Sequence, residues 1–196
     1  MKKKLDIMDT LRAVEPTTES LICAIDPGST GGVIILTTHT GFILWKSSLP
    51  IYNKDSSKLV DFNKLCEILS YINSTFKAEF IVEDVGAIQG QRTGKTQQFA
   101  FAHAIAVIDC CFKCCNITPF MVKPQVWQAS LWSGVGKVVK RTAGGMQKTD
   151  TKATSLKAKE RLYPDSDCRV SDRGTIQQHN YVDALLIAMY LTRIQN

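Results

Sequence analysis

The stretch LICAIDPGSTGGVIILTT, Leu21 to Thr38, reads as two buried strands joined by a glycine-rich turn. Its first half is apolar and β-rich until Asp26, and Pro27-Gly28 then stops it. A lone carboxylate at the end of such a strand admits three readings: a turn acid, part of a phosphate loop, or one corner of a metal site. The following stretch, GFILWKSS (41–48), is again apolar and bounded by turn residues, so the three segments form an antiparallel meander.

Beyond the meander the pattern changes period. DFNKLCEILSYINSTF places Phe62, Leu65, Ile68, Leu69 and Ile72 on one helical face. EFIVEDVG is a strand with acids at its end, and KTQQFAFAHAIAVIDCCFKC is a long helix with small or apolar residues on most sides. ITPFMVKP is a fifth strand stopped by Pro124. Lys123 to Thr151, with SGVGK and TAGG, reads as a flexible basic loop. Two helices close the chain, TKATSLKAKERLYP and the strongly apolar QHNYVDALLIAMYLTRI. These elements predict an α/β domain over residues 20–196, with helices on both faces of a mixed sheet. Residues 1–19 are expected to be a short helix or a loose arm.

At 196 residues, 44% hydrophobic and 21% charged, the chain is long enough to bury a real core. No apolar run reaches the roughly 18 residues of a membrane span, and the basic start MKKKLDIMDT lacks the apolar segment of a secretion signal. Seven cysteines, an odd number, suit a reducing compartment, so the expected location is intracellular. CCFKCC (110–115) lacks a second ligand pair at zinc-finger spacing and reads as a helix of soft apolar residues. The net charge is +6, and Lys137 to Arg161 alone holds eight basic residues against two acids. That local excess suits a polyanion.

Asp26 ends the first strand, Glu83 ends the fourth, and Asp183 begins the apolar part of the last helix. If the two strands are neighbours, the three carboxylates meet, and they repel unless cations lie between them. An all-oxygen set suits Mg²⁺ or Mn²⁺, and two such ions can drive phosphodiester hydrolysis. His179, four residues before Asp183, shares its helix face and is a candidate ligand or proton handler. Asn180, three residues before Asp183, is the alternative.

IDPG (25–28), VED (82–84), VKPQVW (122–127), KTDTK (148–152), LYP (162–164) and HNYVDALLIA (179–188) follow one another in an order that resembles the RuvC-like Holliday junction resolvases of the RNase H-like superfamily. The chain looks closest to their phage and chloroplast branches, over roughly residues 20–192. The resemblance implies an RNase H-like fold with a five-stranded sheet, three strands antiparallel and two parallel. It also implies a Mg²⁺-dependent endodeoxyribonuclease, holding two ions per site, that nicks two opposed strands of a four-way junction. In that pattern Asp26, Glu83, Asp183 and His179 are the metal and catalytic set, and Lys148 and Lys152 approach the scissile phosphate. Such enzymes are homodimers, here with the helix Thr96–Cys115 forming much of the contact, and they use no small-molecule cofactor.

Family members often carry an aromatic just after the glutamate, whereas GAIQGQRTGKTQQ has none before Phe99. Arg92, Gln89 or Gln91 would then open the junction. Arg92 and Lys95 are expected on the DNA backbone, together with Lys123, Lys137, Lys140, Arg141 and Lys148. GQRTGKT misses the phosphate-loop pattern because Gln89 stands where its first glycine belongs. DPGSTGG resembles the phosphate loop of actin-like ATPases, but those have two related domains and this chain supplies one meander. A nuclease acting on RNA or RNA–DNA hybrid, and a junction binder without cleavage, complete the rival readings.

Overall fold

The structure, a computed structural model, describes residues 6–27, 32–54, 57–85, 95–142, 145–170 and 176–195. Its centre is a five-stranded sheet of β1 (Leu21–Asp26), β2 (Val33–Thr38), β3 (Ile43–Ser48), β6 (Ala78–Glu83) and β7 (Phe120–Val122). The spatial order is β3-β2-β1-β6-β7. β1, β2 and β3 pair antiparallel, while β6 runs parallel to both β1 and β7. The expected meander with two added parallel strands is therefore present.

β1 is buried along its whole length because both faces of the sheet are covered. Its residues alternate between two cores. Leu21, Cys23 and Ile25 pack with α1 (Ile7–Arg12), α2 (Phe62–Thr75) and α3 (Lys95–Cys114). Ile22 and Ala24 face the opposite layer of α4 (Pro124–Leu131), α5 (Thr151–Leu162) and α6 (His179–Gln195). α6 is buried on nearly every side from Tyr181 to Leu191 because it lies between the sheet and α4 and α5. Truncating a fully buried residue in these layers, such as Ile25 or Leu185, would cost roughly 2–5 kcal/mol.

Several elements differ from the sequence reading. Lys123–Thr151 is not one loop: Pro124 opens α4, which buries Trp127 and Leu131. A hairpin of β8 (Val139–Arg141) and β9 (Gln147–Thr149) follows, and Asp150 then caps α5 by accepting from the Ala153 amide. A second hairpin, β4 (Ile51–Lys54) with β5 (Ser57–Val60), lies between the meander and α2. The N-terminal segment is the short helix: α1 buries Met8 and Leu11, and Thr10 Oγ1 accepts from Trp45 Nε1. All seven cysteines are free; within CCFKCC, Cys111 is buried and Cys115 Sγ donates to the Cys66 carbonyl, so these two pack between α2 and α3, while Cys110 and Cys114 are exposed. Among the described residues no helix is long and apolar enough to cross a membrane.

Candidate active site

The sheet register brings the first two acids together. Ile25 pairs with Val82 across parallel strands β1 and β6, so Asp26 and Glu83 stand one step further on, at adjacent strand ends. Both belong to the alternation that faces α6, since Ala24 and Ile81 pack in that layer. Neighbouring strands lie about 4.8 Å apart, and two charges at that range repel by several kcal/mol in a partly buried site. Gly32 adds to the crowding: a Cβ there would meet the Asp26 carbonyl oxygen at 2.5 Å, so the chain after the turn passes directly over Asp26.

Asp183 comes in from α6. The burial that protects the core also strips water from its carboxyl, and Oδ1 is buried without a hydrogen-bond partner. Burial, opposed by a hydrogen bond from the Ser155 hydroxyl and reinforced by Asp26, pushes the Asp183 pKa up to about 7. Lys152, on the first turn of α5, acts in the opposite direction by its positive charge. Glu83 also rises to about 7, first from burial and then from Asp26, with a smaller push from Asp183. The indole of Trp127 moderates that rise by donating Nε1–H to Glu83 Oε1 at 2.8 Å. The three acids thus occupy one electrostatic neighbourhood.

His179 is the first residue of α6, and its Nδ1 is buried and unpaired. Asn180 beside it is half-buried. Among the described residues, no three His, Cys, Asp or Glu side chains converge tightly enough to form a ready-made ion cage. The donor set nevertheless fits a hard divalent cation. It consists of oxygen ligands whose negative form is destabilised by burial and mutual repulsion, beside two orphaned polar atoms, Asp183 Oδ1 and His179 Nδ1.

The expected DNA contacts divide into groups. Lys152 lies within electrostatic reach of Asp183, whereas Lys148 sits on β9 directly opposite Lys140. Lys140 also pairs with Asp150 at 3.1 Å. Lys123, Lys137, Lys140, Arg141 and Lys148 are all exposed. Elsewhere in the basic stretch, Lys159 is buried and donates to the Pro164 carbonyl, and Arg161 donates to the Gly134 carbonyl. Arg92, Gln89, Gln91 and Gly28 lie outside the described residues, and so does most of GQRTGKT; Lys95 opens α3, and its side chain is not described.

Trp127 and Ser155 are the residues that the sequence reading left without a role. Trp127 lay within VKPQVW, quoted as a motif, but its indole acquires a purpose once α4 folds against the sheet.

No family model and no curated protein matches the chain. Solved structures similar to it include two of RuvC. One is "T. thermophilus RuvC in complex with Holliday junction substrate", with a TM-score of 0.56 and 11% identity, covering 90% of this chain and 96% of that one. The other is the Thermus thermophilus RuvC structure, with a TM-score of 0.49, 11% identity, and coverage of 89% and 96%. Neither comparison favours a phage or chloroplast branch. The first likeness, with the sheet order and flanking helices, establishes the fold as RuvC-like, of the RNase H-like class.

Proposed function

We propose that the chain is a structure-specific endodeoxyribonuclease that resolves four-way DNA junctions, acting within one nuclease domain over residues 20–196. The observation that supports the reading is that Asp26 and Glu83 end adjacent strands β1 and β6 and share an electrostatic neighbourhood with Asp183 of α6, in a RuvC-like fold. A protein that merely bound DNA would gain nothing from three acids set against phosphates.

Asp26, Glu83 and Asp183 would hold two Mg²⁺ ions, or Mn²⁺ in their place. Bound there, these ions supply an activated water and charge neutralisation at the leaving oxygen. His179, four residues before Asp183 on α6 and with a buried, unpaired Nδ1, would serve as a further ligand or as the group that takes the proton of the attacking water. Lys152, already felt by Asp183, compensates negative charge at the scissile phosphate. The hairpin β8–β9 presents Lys140 and Lys148 opposite each other; the repulsion between them is relieved when phosphates lie against that face.

Two opposed nicks require two sites, and α3 supplies a surface for a second copy of the chain. Its outer side borders a groove of about 570 Å³ whose wall is mostly apolar, with Phe101, Ile105 and Met121, but also carries Gln98 and Asp109; Phe99 of the same helix is exposed. In the absence of divalent ions, the protein should bind a four-way junction more tightly than a linear duplex of the same sequence. Saturation should come at two chains per junction. Equal affinity for both substrates would contradict the reading.

A further inference from the structure

The motif CCFKCC takes no part in the site described above, and its thiols divide between two sides of α3. Cys110 and Cys114 are exposed, whereas Cys111 and Cys115, one helical turn apart, meet α2. Cys111 Sγ donates to the Phe62 carbonyl at 3.5 Å, and Cys115 Sγ donates to the Cys66 carbonyl at 3.7 Å. Phe62 and Cys66 are likewise one turn apart, so the two helices run side by side in matched register. A helical side chain leans over the turn N-terminal to its own Cα, which sets the Cys66 thiol between the other two. Ser70 Oγ, 3.2 Å from Cys115 Sγ, closes the cluster on its far side. Cys66 and Cys115 are half-buried, within reach of a solute, while Cys111 is sealed in the core.

We propose that Cys66 and Cys115 form a reversible disulfide site, closed by a small disulfide such as oxidised glutathione, that staples α2 to the C-terminal end of α3. The Cys115 thiolate attacks one sulfur of the small disulfide, giving a mixed disulfide and releasing one small thiolate. Cys66 then loses its proton to solvent and attacks the Cys115 sulfur, and the second small thiolate leaves. Two protein thiols are oxidised, and one small disulfide is reduced to two thiols. Partial burial raises the Cys66 pKa, with Cys111 opposing the rise and Cys115 adding to it, and burial also raises the pKa of Cys111. The thiolate is the attacking form, so the first step falls to Cys115. The bond joins residues 49 apart and encloses β6, Glu83 and nearly all of α3. It also pins the turn at Asn116, whose φ of 53° hands the chain on towards β7. A reducing compartment keeps the pair as thiols, and a rise in the glutathione poise closes it.

The test equilibrates the full chain with oxidised and reduced glutathione, blocks the remaining thiols with iodoacetamide and digests with trypsin. Cleavage after Lys113 parts Cys111 from Cys115, so the peptide masses tell the two pairings of Cys66 apart. The expected product is one bond within the chain, joining the Cys66 peptide to the one that begins at Cys114. It should survive in Cys110→Ser and Cys114→Ser, vanish in Cys66→Ser and Cys115→Ser, and reverse with dithiothreitol. Oxidation should raise the melting midpoint of the unaltered chain by about 5–10 °C and leave that of Cys115→Ser unmoved. A bond to Cys111, a bond between two chains through Cys110 or Cys114, or thiols that stay reduced in fully oxidised glutathione overturns the proposal. An unshifted midpoint in the oxidised chain overturns it as well, since a staple across that loop must restrain the unfolded state. If Cys66→Ser fails to fold, Cys115→Ser decides alone.

Discussion

Asp26 and Glu83 are neighbours by register, each one residue beyond the Ile25–Val82 pair of parallel strands β1 and β6. Two acids placed side by side under a buried helix are unfavourable on their own, and their repulsion is the measure of what a cation would relieve. Changing Asp26 to Asn removes one charge but keeps the shape. Cleavage should fall by at least about 100-fold, while junction binding persists or tightens because one anion no longer faces the phosphates. Undiminished nicking by Asp26→Asn would refute the assignment.

The same acids set a pH dependence whose sign is fixed. Glu83 and Asp183 titrate near 7 in the folded chain, against ordinary values of 4.5 and 3.8. Between about pH 4 and 7 the folded state therefore binds more protons than the unfolded state, so stability falls as pH rises. Asp167, held low chiefly by Arg169, acts oppositely, but its effect is confined to more acid solutions. Metal-free protein should melt at a lower temperature at pH 8 than at pH 5.5, and excess Mg²⁺ should recover most of the loss at pH 8. Thermal melts across this range with and without Mg²⁺ check it; a midpoint that rises with pH in the metal-free protein would contradict the prediction.

His179 and Asn180 divide on one observation, the buried and unpaired Nδ1 of His179. His179→Ala should raise the Mg²⁺ concentration needed for half-maximal cleavage and lower the plateau rate, whereas Asn180→Ala should change either by less than about threefold. A Mg²⁺ titration of single-turnover cleavage compares them, and a deficit confined to Asn180→Ala would reverse the assignment.

Lys152 and Lys148 should separate in kinetics. Lys152 is close enough to Asp183 to alter its titration, so Lys152→Ala should cut the single-turnover rate by about 100-fold. Lys148 sits across the hairpin from Lys140, and its loss should mainly weaken binding and flatten the slope of log K against log salt by about 1. A loss of rate without change of slope in Lys148→Ala would instead place that residue at the phosphate.

How much was legible in the sequence depended on whether a segment's pattern carried its own period. Leu21–Asp26 and Ala78–Glu83 are short apolar runs between clear stops, so both the strands and the acids ending them could be read. Asp183 could be read because His179–Gln195 is apolar nearly throughout. Lys123–Thr151 could not: β8 and β9 are exposed on both faces and lack alternation, and α4 spans only eight residues. The donors behind the acids were hidden for another reason. Trp127 lies 44 residues from Glu83 and Ser155 lies 28 from Asp183, so only the packing of α4 and α5 reveals either contact.

The most direct measurement is to map nicks on labelled four-way junction, linear duplex and RNA–DNA hybrid in the presence of Mg²⁺. The account predicts paired, symmetric nicks confined to the junction, absent without divalent ions. Cleavage of the hybrid alone, or no cleavage of any substrate under conditions where the junction is bound, would contradict it.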